Sequence, residues 1–327
     1  MNGDSLQRPT IHDVLLARRR IAPYLAPTPL LRPPALGRAL ACDAYLKCEN
    51  LQPVGAFKVR GGVNLVAAER QAGALNPAGL VAASTGNHGQ SIAFAAQLFD
   101  LPATIFAPRG ANPLKVAAMK ALGAEVRLEG HDFDAAREAS ESYAAGTGAR
   151  YVHSMNEPLL IAGVATAYLE ALLEVPGADV MIVPIGGGSG AAGAGIVARA
   201  LNPSMRVIGV QASGAPAFYR SFLSGRPEST PEARTRAEGL ATRVAFSLPL
   251  GIIRATVDEI VLVEDAEMQA AMRLLLETAH VVAEEAGAAA AAAALKLRDR
   301  VEGRKVILGL SGGNATLAQI GDALAAT

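Results

Sequence analysis

GLVAASTGNHGQSIAFAAQLF, residues 79–99, is the stretch whose reading decides the fold. Gly79–Ser84 is apolar or small without alternation, the pattern of a strand buried on both faces. Gln90–Phe99 reads as a helix, and Ser84–Gln90 between them carries the glycines and polar residues of a tight turn. Working outward, the alternation repeats. Ala103–Ala107 reads as a strand, Pro113–Leu122 as a helix, Ala124–Leu128 as a strand and Asp132–Ala145 as a helix, with another strand near Tyr151. A second series follows: helix Leu159–Leu173, strand Asp179–Ile185, helix Ala191–Leu201, strand Arg206–Gln211. From about Asp265 a helix is expected to run into the alanines at 288–294, ahead of strand Lys305–Leu310 and a final helix from Ala315. Such alternation needs crossover connections, so the prediction is an α/β fold with parallel sheets covered by helices on both faces. Two series imply two lobes with a cleft between them. Ser224–Pro249, charged and weakly patterned, is expected to be loop-rich, and no fixed-period repeat is apparent.

Composition narrows the function classes. A chain of 327 residues buries a large core, here built from Ala, Val, Ile and Leu because aromatics are only 4%. Thirty basic and thirty acidic residues leave no net charge, which gives no electrostatic case for nucleic acid or an anionic membrane. Cys42 and Cys48 fit neither a disulfide framework nor a zinc site and read as reduced thiols. The first twenty residues are mixed and charged, unlike a secretory signal, and no tract looks like a membrane span. A cytoplasmic protein is expected.

Four segments could hold one cofactor. Glu49–Gly62 places Lys58 among apolar and glycine residues, a setting that lowers an amine's pKa toward nucleophilic use, although a lysine alone is ordinarily a solvated surface charge. Ser84-Thr85-Gly86-Asn87-His88 sits between strand and helix, where backbone N–H groups suit a carboxylate or phosphate; an N-cap turn reads the same way. Gly186-Gly187-Gly188-Ser189-Gly190 follows a strand and lets amides converge on a phosphate, or simply packs tightly. It lacks the lysine of a P-loop and the later acid of a dinucleotide fingerprint. Ser311-Gly312-Gly313-Asn314 ends another strand, where a hydroxyl reaches a heteroaromatic nitrogen or caps a helix.

Taken together and in this order, the four segments resemble the serine/threonine dehydratase group of fold-type-II pyridoxal-phosphate enzymes, which includes serine racemase. The likeness runs from about Thr28 to Ala323 and takes in ATIFAPRGANPLKVAAMKALGAEVRL and VVAEEAGAAAA. It implies a tryptophan synthase β-like fold, with a large cofactor-binding domain from 1–79 and 157–327 and a small mobile domain from 80–156. It also implies pyridoxal 5'-phosphate bound covalently to Lys58, with Phe57 near the ring and residues 186–190 (Gly186, Gly187, Gly188, Ser189, Gly190) holding the phosphate. Asn87 would meet the ring hydroxyl, Ser311 the ring nitrogen, and Glu284 would lie near the ring. Ser84, Thr85, Gly86, Asn87 and His88 would surround the substrate carboxylate. The implied reaction is α,β-elimination from a β-hydroxy amino acid, L-threonine or L-serine first, giving a 2-keto acid and ammonia. A homodimer with a small amino acid as its substrate is expected.

Departures from the family pattern matter. Ala56 stands where a serine is common, and Ser189 replaces a glycine of the phosphate loop. Gln211 and Ala217 stand where metal-dependent relatives carry acidic ligands, so no divalent metal is expected. Thr85 occupies the place of the racemases' serine and is either a second-face catalytic hydroxyl or a carboxylate contact. Arg243 reads as recognising a second carboxylate or another polar substituent on the substrate, or as a solvated surface charge. The chain ends soon after the Ser311 segment, so an appended regulatory domain is not expected. The competing readings are a serine racemase, a hydroxyaspartate- or phenylserine-type dehydratase, a β-replacement enzyme, and a non-catalytic amino-acid-binding protein.

Overall fold

The fold is that of a computed structural model, which describes residues 7–326. In chain order the elements are α1 (Ile11–Ile21), β1 (Leu30–Leu31), α2 (Pro34–Leu40), β2 (Asp43–Cys48), α3 (Lys58–Gln71), β3 (Leu80–Ala83), α4 (Asn87–Leu98) and β4 (Ala103–Ala107). There follow α5 (Pro113–Ala121), β5 (Glu125–Leu128), α6 (Phe133–Thr147), β6 (Arg150–Tyr151), α7 (Pro158–Glu174), β7 (Val180–Pro184), α8 (Ser189–Leu201), β8 (Arg206–Ala212) and α9 (Ala217–Ser224). The last are α10 (Ser247–Thr256), β9 (Glu259–Val263), α11 (Asp265–Ala279), α12 (Glu285–Lys296), α13 (Arg298–Val301), β10 (Lys305–Leu310) and α14 (Leu317–Ala325).

These strands form two sheets. Six pair in the order β1-β2-β10-β7-β8-β9, parallel except for the antiparallel edge β1. Four pair in the order β5-β4-β3-β6, all parallel. Central strands β10, β7 and β3 are buried almost throughout, which is why they read as unbroken apolar runs. Helix α12 lies under the larger sheet, its alanines 288–294 all buried. Methyl side chains let it approach the strands closely, and alanine is the strongest helix former.

Several boundaries differ from the sequence reading. The helix expected from Asp265 into the alanines is two helices, because His280 takes a left-handed conformation at φ 56° and Glu284 N donates to Gly312 O at 3.1 Å. That bond ties the break to the loop after β10. Helices α4 and α8 begin earlier than expected, so Asn87, His88, Ser189 and Gly190 form first helical turns. The final helix starts at Leu317, with Thr316 as its N-cap. Ser224–Pro249 is irregular apart from a 3-10 turn at Glu238–Leu240 and the start of α10. The first six residues of the N-terminal stretch read for a signal lie outside the described residues.

Candidate active site

Helix α3 starts at Lys58 and is pinned at both sides of that residue. Upstream, Phe57 N donates to Ser311 O at 3.0 Å, and Ala56 bridges to Gly312, joining the segment to the end of β10. Downstream, Arg60 is only 1% exposed and forks onto two carboxylates. It reaches Glu49 at 2.7 and 2.9 Å and Glu170 of α7 at 2.7 and 2.8 Å. Lys47 of β2, fully buried, completes the cluster at 2.6 Å from Glu170. Burial pushes Glu170 up, but Arg60 and Lys47 outweigh it and hold this carboxyl below the usual range.

Lys58 reaches the floor of a cleft of about 840 Å³. Loss of hydration there lowers its amine to about 8. Its Nζ donates to Ser189 Oγ at 3.0 Å, and the Phe57 ring lies 5.3 Å away. Ser189 opens α8, whose N-cap Gly188 has φ +89°, a conformation that glycine adopts without strain. The glycine run therefore delivers the free amides of a helix start to the cleft, beside the lysine.

The opposite wall is the start of α4. Ser84 Oγ accepts from Gly86 N at 3.1 Å and Gly89 N at 2.8 Å, so its hydroxyl shapes the turn. Thr85 lines the cleft. Asn87 Nδ2 donates to Glu284 Oε1 at 2.8 Å, and its Oδ1 accepts from Asn314 Nδ2 at 2.8 Å. Burial raises the Glu284 carboxyl. Burial, helped by the nearby Lys58 charge, drops His88 to about 3, so its imidazole is neutral; no partner meets its Nε2 among the described residues.

All fifteen residues expected to meet cofactor or substrate line this one cleft: Phe57, Lys58, residues 84–88, 186–190, Arg243, Glu284 and Ser311. Arg243 stands at the mouth, 43% exposed, paired with Asp134 at the start of α6. Sequence reasoning missed three contributors. Asn314 was inside a quoted segment but its amide was not assigned. Lys115 of α5, buried in the wall, and Glu238 form a second ion pair across the cleft. Gln211, placed at the position of a metal ligand, is buried and accepts from Tyr219 N at 2.9 Å, fixing the start of α9. Among the described residues no cluster of three or more His, Cys, Asp or Glu could hold a metal ion.

A lysine amine in a poorly hydrated cleft, beside the amides of a helix start and facing a hydroxyl at a strand end, suits an enzyme built around a phosphorylated carbonyl cofactor. The chain belongs to the family described as pyridoxal-phosphate dependent enzyme, whose profile matches residues 21–312. It is 40% identical over 313 residues to an L-threonine ammonia-lyase of Thermotoga maritima, covering 95% of this chain and 77% of the relative. It is 36% identical to the L-threo-3-hydroxyaspartate ammonia-lyase of Saccharomyces cerevisiae, covering 94% of each chain. The structure of maize serine racemase superposes with a TM-score of 0.90 at 31% identity and 97% coverage of both chains. The fold class expected from the sequence, fold type II with two mainly parallel sheets, is therefore borne out.

Proposed function

We propose that this protein is an ammonia-lyase that eliminates water from a β-hydroxy amino acid, L-threonine or L-serine first, to give a 2-keto acid and ammonia. The observation that carries the reading is the meeting of Lys58, the 186–190 loop and Ser311 in one cleft, although they are far apart in sequence. The residues fit the cofactor. Helix α8 offers unpaired amides for a phosphate, Lys58 offers an amine free of any carboxylate, and Ser311 and Asn87 offer neutral polar groups for the ring.

When bound, pyridoxal phosphate supplies the electron-withdrawing system that takes up the negative charge left at Cα. The rest falls to the chain's own residues. Lys58 would remove the Cα proton, and an amine at about 8 both accepts and returns a proton near neutral pH. The amides of Asn87 and His88 and the Thr85 hydroxyl would orient the substrate carboxylate at the start of α4. Ser311 would offer the ring nitrogen a hydroxyl in place of a carboxylate, which would favour rapid loss of the β-hydroxyl over storage of charge.

The two other strong cations of the cleft, Lys115 and Arg243, already meet Glu238 and Asp134. A second carboxylate would have to displace one of these or face Glu284. The same proposal has residues 80–156 moving as a small unit over the cleft, and the enzyme working as a cytoplasmic homodimer.

Purified holoenzyme given L-threonine, L-serine and threo-3-hydroxyaspartate should release keto acid and ammonia, fastest from the first two. Lys58→Ala should abolish the visible cofactor absorbance and cut turnover at least about a hundredfold. Unchanged absorbance and turnover in that variant would overturn the assignment. In deuterated buffer, deuterated D-serine from L-serine would give Thr85 the racemase role instead.

A further inference from the structure

Ser189 is the one polar side chain that meets the Lys58 amine among the described residues. It is 2% exposed and fixed as the first residue of the thirteen-residue α8. The contact joins residues 131 apart in sequence. A helix start is the positive end of the peptide dipoles and disfavours an ammonium group. A hydroxyl oxygen at that spot gives the ammonium an acceptor where the backbone offers only donors.

The other titratable groups facing Lys58 do not fill this role. His88 of α4 is neutral at working pH, and burial of Tyr168 on α7 pushes its phenol up, so it is neutral as well. Glu284 before α12 is engaged by Asn87, and Lys115 of α5 is engaged by Glu238. From α3 itself Phe57 supplies only a ring face.

We propose that Ser189 is a positioning residue that receives the Lys58 amine whenever that amine is free, holding it at the start of α8 and stabilising its protonated form. The inference rests on the reading of Lys58 as the reactive lysine. Ser189 then sets two properties of the base: where it waits, and how much of it is unprotonated at a given pH. Below its titration point Lys58 is an ammonium donating to Ser189 Oγ; above it, a free base.

The test uses cofactor-free full-length protein and trinitrobenzenesulfonate, with peptide mapping to follow labelling of Lys58 against pH. Removing an acceptor from a charged donor disfavours the charged form. Ser189→Ala should therefore shift the labelling midpoint down by about one pH unit, and speed labelling at pH 7 about fivefold. Ser189→Gly should behave the same, and Ser189→Thr, which keeps the oxygen, should return the midpoint to that of the parent. The acid limb of kcat in the holoenzyme, where bound substrate leaves the Lys58 amine free, should move in the same direction. Thermal melting confirms that each variant is folded, and the glycine variant decides the matter should the alanine variant not fold. Equal midpoints in the parent, alanine and glycine proteins would overturn the proposal. Failure of the parent to bind pyridoxal phosphate at Lys58 would instead overturn the functional reading, and leaves the labelling result to stand alone.

Discussion

Two sets of ion pairs use the same side-chain chemistry in opposite surroundings. Beneath α3, Arg60, Glu49 and Lys47 are buried and Glu170 nearly so, and the four interlock through five nitrogen–oxygen contacts of 2.6–2.9 Å, counting those of Thr28 and Thr166 apart. Across the cleft mouth, Arg243 with Asp134 and Lys115 with Glu238 each join a helix packed beside the smaller sheet to the 224–249 segment, and their outer partners are solvated. A buried network cannot open without stranding charge in a medium of low polarity, so it acts as a permanent anchor for the helix that bears Lys58. A hydrated pair trades one partner for water at small cost, so it suits a contact made and broken as substrate passes. The difference teaches which ties are costly to break and which are not.

The sharpest way to break the comparison is to remove the centre of the anchor. Arg60→Met should destabilise the fold by about 3–5 kcal/mol in denaturant titration, because the carboxylates of Glu49 and Glu170, buried or nearly so, lose their common partner. A loss below about 1 kcal/mol would put the cluster on a par with the mouth. Next in size, Arg243→Gln should cost under about 1 kcal/mol of stability while changing KM for substrate by a larger factor than it changes stability. A double-mutant cycle with Asp134→Asn isolates the coupling, expected at about 0.2–1 kcal/mol. The smallest effect is that of salt. Raising ionic strength from about 0.01 to about 1 M shortens the screening length roughly tenfold and should alter KM modestly, with no change in the midpoint of Lys58 labelling. Equal salt sensitivity of both would mean that the floor of the cleft is as wet as its rim.

The alternation of buried strands and helices was legible from β3 onward, because parallel strands covered on both faces have no polar side to interrupt them. The start of the chain was less so. Helix α3 hides behind Gly61 and Gly62, residues that weaken a helix on propensity, and their reason lies in another element: a Cβ on Gly62 would fall 2.5 Å from Ser91 Oγ of α4. The break at His280 was hidden for a similar reason. Both flanking stretches favour helix, and the left-handed turn at His280 and the bond from Glu284 to the loop after β10 separate them. In the site, each loop announced itself by glycine and small polar residues. The ties between loops did not, since Lys115 and Glu238 lie 123 residues apart and Asn314 and Asn87 lie 227 apart. Local pattern reports what a turn can bind; which side chains meet across a cleft depends on how two sheets come together.

Helix α12 has a consequence for how the Glu284 carboxylate is carried. A methyl group has no rotamer to lose, so ordering this run of alanines exacts almost no side-chain entropy. The carboxylate at its head therefore rides on a rod with one shape, whose seat against four strands offers no alternative packing to drift into.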